Sequence, residues 1–126
     1  MTYTVVGVTA KISMDAGLDM LEALKNAIDN ADSPKVDLID EAGNVVKSLD
    51  PSVVSVAGED SYARILIEIE DNSTDVYTFK KVKVRGKRDT YTYTAIIFEL
   101  DNPISKSDTD ILDLILKWGF PNTVSG

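Results

Sequence analysis

Six of the chain's 13 lysines and arginines fall within nine residues, KKVKVRGKR at positions 80–88, in a protein whose formal net charge is −8. They are Lys80, Lys81, Lys83, Arg85, Lys87 and Arg88. On a strand, successive side chains alternate between faces, so Lys81, Lys83 and Arg85 share one side and Val82 and Val84 the other. Lys87 and Arg88 are expected in the turn that follows, with Tyr91 and Tyr93 on the return strand. Such a stripe offers electrostatic chemistry. It would set cations against phosphates while tyrosines stack on bases, or cations against the carboxylates of another copy of the chain. A third reading is a solvated hairpin whose lysines discourage edge-to-edge strand pairing. The charge elsewhere weighs against a polyanion: residues 1–75 carry 5 basic and 15 acidic groups, so a phosphate polymer leaving the stripe meets repulsion.

Other constellations are thinner. Glu59-Asp60 and Asp71 with Asp75 would suit calcium if brought together, but no twelve-residue calcium loop is present and solvated turns explain the same residues. Glu68 and Glu70 share a strand face as paired catalytic carboxylates would, with nothing beside them to make a sugar site. Asn72-Ser73-Thr74 has the form of a glycosylation sequon and is expected to be a turn. Trp118 and Phe120 are expected in the core, with a partner hot spot as the alternative. Histidine and cysteine are both absent, which removes imidazole acid–base catalysis, thiolate chemistry, disulfides and Cys/His metal sites. No catalytic residue, cofactor or metal is expected, and the chain is expected not to be an enzyme.

The elements that would carry these residues follow from periodicity. Thr2–Ile12 is rich in Thr, Val and Tyr and reads as an opening strand. Leu18, Leu21, Leu24 and Ile28 then recur at helical spacing, predicting one amphipathic helix over about 15–31, with Asp15 at its start and Asp32-Ser33-Pro34 at its end. Beyond it the pattern is strands and turns. Val36–Ile39 and Val45-Val46 flank a Gly/Asn loop, and Ser52–Ala57 is closed by Gly58-Glu59-Asp60. Ala63, Ile65, Ile67 and Ile69 alternate with polar residues, as on a half-buried antiparallel strand. A long hairpin is predicted over Val76–Leu100, turning around Arg85-Gly86-Lys87-Arg88 and ending at Asp101-Asn102-Pro103. SDTDILDLILKWGF fits a strand, with Leu112, Leu114, Leu116, Trp118 and Phe120 on one side, or a helix through Ile111, Leu112, Ile115 and Trp118. The strand is preferred because Gly119 lies inside the run. One helix and about eight strands in a single domain, 1–126, imply a mainly β fold, an antiparallel β-sandwich or jelly-roll-like arrangement. The opening residues lack the charge and apolar pattern of a secretory signal, and no apolar run approaches the ~18 residues of a membrane span, so no membrane partner is expected.

The order GLDMLEALKNAIDN, VDLIDEAGNVV, DNSTDVYTF, ISKSDTDILDLILKW resembles small β-rich virion components, such as tail-fibre or appendage proteins of phages and proteins of archaeal viruses. It is similar to uncharacterised proteins of spherical viruses of hyperthermophilic archaea. The resemblance implies a sandwich-like fold, self-association and a role in the particle or in attachment, in the virion or the host cytoplasm. It transfers no functional residue. The function expected is a non-enzymatic structural or binding module acting as a homo-oligomer or with other virion proteins. The alternative is a nucleic-acid-binding accessory protein that uses the basic hairpin.

Overall fold

The computed structural model describes residues 1–6 and 10–125. Helix α1 (Met14–Asn30) begins where the Ser13 hydroxyl accepts the Ala16 amide at 3.1 Å, so Ser13 is the N-cap and Asp15 sits in the first turn beside the positive end of the dipole. The helix buries Gly17, Leu21 and Ile28 along one stripe and ends at Ala31, before Pro34. Seven strands follow: β1 (Val36–Ile39), β2 (Val45–Leu49), β3 (Val53–Glu59), β4 (Tyr62–Asp71), β5 (Tyr77–Arg88), β6 (Tyr91–Lys106) and β7 (Leu112–Phe120). They form two antiparallel sheets, one ordered β2-β1-β5-β6 and the other β3-β4-β7. The fold is mainly β with one N-terminal helix, and the two sheets and helix share a single sandwich-like core.

That core draws Ala63, Ile65, Ile67 and Ile69 from β4, Phe79, Val82 and Val84 from β5, Val36 and Leu38 from β1, and Leu21 and Ile28 from α1. Full burial of a side chain of the Ile, Leu, Val or Phe kind contributes roughly 1.5–3 kcal/mol, so these few positions carry much of the driving force. The helix touches β5 of one sheet and β3 and β4 of the other, bridging the two layers. At Gly17 a side-chain carbon would come within 3.0 Å of Ala63 Cβ, which marks how closely helix and sheet approach.

The terminal run is a strand. β7 pairs with β4 from Ala63↔Phe120 to Asp71↔Leu112, and its alternate residues lie on the core side as the two-residue period requires. Gly119 reflects the same contact: a Cβ there would stand 1.9 Å from the Ala63 carbonyl oxygen.

Four expectations need correction. Residues 2–6 and 10–12 form no strand, and 7–9 lie outside the described residues; Ser13 makes one isolated parallel bridge to Val124. The described residues hold seven strands, not about eight. The long hairpin turns at Asp89-Thr90, where Asp89 adopts φ 55°, and Gly86 lies within β5. Asp tolerates that conformation because its short polar side chain bonds locally, so the glycine was not the turn residue. Finally, β6 runs past Pro103 to Lys106. It is an edge strand, and Leu100–Pro103 fall where the β5 pairing shifts between Phe79 and Lys81, which spares the ladder a missing donor.

Candidate binding surface

The β5–β6 hairpin places Lys81, Lys83, Arg85 and Lys87 on the outer face of the four-stranded sheet, opposite the buried Val82, Val84 and Gly86. Because β5 extends to Arg88, Lys87 is a strand residue and the stripe is one cation longer than a turn at Gly86 would allow. The same alternation turns Arg88 to the other side. Arg88 pairs with Tyr91, and Gly86 pairs with Tyr93, whose ring lies over the glycine. Tyr91 and Tyr93 stack on each other, with centroids 6.0 Å apart and planes at 17°. The seven candidate residues therefore divide into two groups, four cations on the outer face and Arg88 with the tyrosines on the helix side.

The outer cations are largely matched within the chain. Lys81 lies 3.5 Å from Glu99, directly across the β5–β6 ladder. Lys87 reaches Asp32 at 3.2 Å. Arg85 binds the Asp37 carboxylate and the Pro34 carbonyl, and its own backbone amide donates to the Lys35 carbonyl. Asp37 is buried between Arg85 and the Ser48 hydroxyl, which donates at 2.7 Å. Burial pushes the Asp37 carboxyl up, but Ser48, Arg85 and the nearby Lys83 outweigh it and hold the acid below its ordinary range. Arg85 is committed to Asp37, while the exposed Lys81 and Lys87 pairs are weak and offset the charge of the stripe only in part. Lys80, Lys83 and Arg88 make no ion pair among the described residues.

On the helix side, Ala23, Asn26, Ala27 and Asn30 of α1 and Lys87, Arg88, Asp89 and Tyr93 of the hairpin enclose an open groove of about 490 Å³. Its lining carries two carboxamides, two cations, one carboxylate and one aromatic ring.

The opposite end of the four-stranded sheet carries a buried polar cluster that pattern reading missed. Asp71 accepts from the Tyr77 hydroxyl at 2.6 Å and the Ser73 amide at 2.9 Å, with Lys47 3.9 Å away. Lys106, 2% exposed, donates to the carbonyls of Ser73, Asp75 and Ser107 and lies 6.0 Å from the Tyr77 ring centre. Burial raises the Asp71 carboxyl, but the Tyr77, Ser73 and Lys47 partners win and bring it down to about 2. The Tyr77 hydroxyl is pushed well above its ordinary value, by burial first and then by the Asp71 carboxylate. Every member is satisfied, so the cluster locks the loop after β4 to the edge of β6. Only the register reveals it: Lys47 and Lys106 stand opposite Leu38 and Tyr77, which face the core, and no local period in the sequence gives that pairing.

The carboxylate candidates lie apart in the fold. Glu59-Asp60 and Asp71 stand at opposite ends of β4, and lysine ammonium groups already serve Asp71 and Asp75. No group of three possible metal-binding side chains occurs among the described residues. Glu68 and Glu70 lie on the outer face of the three-stranded sheet beside Val53, Ile115 and Asp113. Trp118 is not enclosed in the core. It lies on the inner side of β7 but is 44% exposed, tilted against Phe120 with centroids 5.6 Å apart, because β7 is the sheet's edge.

Large apolar side chains are exposed in several places, Val45, Val76 and Ile97 among them. Tyr3, Val5 and Val6 are 80%, 71% and 83% exposed, and Ile111, Ile115 and Trp118 mark the β7 side. Arg64, over Gly119 on the outer face, bonds Glu59 yet keeps Nε and Nη1 buried without an acceptor. None of the helices is long and apolar enough to cross a membrane, among the described residues. Comparison with protein-family models, with curated proteins and with solved structures finds no match to this chain.

Proposed function

We propose that this chain is a non-enzymatic binding and assembly module that works through its outer surfaces, self-association included. The observation that carries the reading is the apolar material left in water on a fold whose core is otherwise well filled: Tyr3, Val5 and Val6 ahead of the helix, and Ile111, Ile115 and Trp118 along β7. Large apolar side chains exposed on an unpaired segment and along a free sheet edge are surfaces that protein contact would cover. A place in a virus particle or its appendages, as structural component or attachment protein, is the form this reading takes from the sequence resemblance.

Nucleic-acid binding is the second reading, favoured by Arg88 and the stacked tyrosines. It is weakened by the carboxylate partners of Lys81, Arg85 and Lys87, because a cation already paired releases little on meeting a phosphate. Light-scattering mass measured across a concentration series, with gel shifts on single- and double-stranded DNA and RNA, tests both. The expected result is an oligomer with no shift at ~0.15 M salt. A monomer that shifts nucleic acid under those conditions reverses the order.

A further inference from the structure

We infer that residues 1–6 serve as an exchange strand that adds to the free edge of β7 in a second copy of this chain. The inference deepens the self-association reading and rests on it. MTYTVVGVTA, the first ten residues, contains no charged side chain, and Thr2–Val6 is a run of β-branched and aromatic residues with high strand propensity. Yet residues 1–6 join no ladder, and Tyr3, Val5 and Val6 stand in water. An uncharged, β-prone segment without proline is the composition that pairs with whatever sheet edge it meets.

Four strands present edges: β2 and β6 on the larger sheet, β3 and β7 on the smaller. Lys47 points inward from β2, and β6 carries Pro103 and two breaks in register, devices that blunt an edge. At β3, Gly58 is pressed against Met14. β7 carries the exposed charges Asp113 and Lys117 but has no proline, no register break and no inward lysine. It runs nine residues without proline, with Ile115 and Trp118 exposed. The chain also delivers the segment to that neighbourhood. Ser13 bridges Val124 in parallel, with Met14 N donating to Val124 O at 2.8 Å and Val124 N donating to Ile12 O at 3.0 Å. Residues leading into α1 therefore enter beside the segment that follows β7, already aligned with its direction. A contact that a chain could make with its own edge is equally open to an identical neighbour, and reciprocal exchange between two copies closes both edges. The six residues span ~20 Å as a strand, about two thirds of β7.

The test compares the full chain, a chain lacking residues 1–6 and the full-length double variant Val5→Asp/Val6→Asp. Light-scattering mass and amide hydrogen exchange are read over the same concentrations, with circular dichroism confirming the fold. The full chain should associate, both variants should associate at least about tenfold more weakly, and extra protection in 112–120 should appear only in the associated full chain. If the variants associate as tightly as the full chain, or association leaves 112–120 unprotected, the exchange strand is wrong while self-association stands. If the full chain is monomeric throughout, self-association falls too, and protection of 112–120 in that monomer would mean that the segment closes on its own β7.

Discussion

Asp71 is an acid held between a phenol, an amide and a lysine, and its effect on stability depends on pH in a direction that can be worked out. Its folded carboxyl titrates at about 2 against an ordinary 3.8, so below pH 4 the unfolded chain binds more protons than the folded one. The carboxylate contributes about 2 kcal/mol above that pH and loses it as pH falls from about 4 to 2. Tyr77 acts at the other extreme. Its raised value favours the protonated phenol, so its contribution is whole below pH 10 and fades as pH rises beyond that. Thermal melts of the full chain from pH 2 to 7 should show the acid loss, and Asp71→Asn should flatten it while lowering stability at pH 7. Gly119 obeys a harder constraint. Gly119→Ala sets a methyl against the Ala63 carbonyl oxygen, so backbone must shift and the loss should be about 1–3 kcal/mol by denaturant titration. A variant as stable as the parent would mean that β7 does not lie where it is placed.

At the scale of elements, hairpins and glycines changed roles. Gly58 and Gly86 read as turn residues, yet both lie within strands and the turns fall at Asp60-Ser61 and Asp89-Thr90. The first turn residue is an aspartate in each case, with φ of 53° and 55°. The glycines instead make room for a neighbour, Met14 over Gly58 and Tyr93 over Gly86. Asp89→Gly should accordingly be neutral or stabilising, whereas Asp89→Val should cost ~1–2 kcal/mol, since a β-branched residue resists positive φ. Equal effects from the two would remove the turn assignment. Position in the turn also decides which face each later side chain takes. Moving it three residues onward made Lys87 a member of the outer stripe and sent Arg88 to the tyrosines.

Across the whole molecule the charge pattern resolves into local pairs. A burst of six cations in an acidic chain suggests a landing strip, but Asp32, Asp37 and Glu99 are brought to it from three separate segments. What remains unspent is apolar: the segment before α1, the β7 edge and the half-exposed Trp118. This is why the proposed function is association, and why the decisive measurements are the mass of the particle in solution and the strand that becomes protected when it forms.

Alternation and helical spacing were enough to determine the mainly β class, the single amphipathic helix and the β4 core face, because these depend on which side of a local element is apolar; for 112–120 both periods fitted, and Gly119 inside the run favoured the strand that β7 forms. They could not place the turn at Asp89, pair Arg85 with Asp37 forty-eight residues earlier in the chain, or bury Lys106 on three carbonyls. Those outcomes are set by sheet order and register, which bring distant segments together and which no local period encodes. Residues 2–6 have the composition of a strand yet form none. A strand needs an edge to bond to, and only the assembled sheets decide where a free one lies.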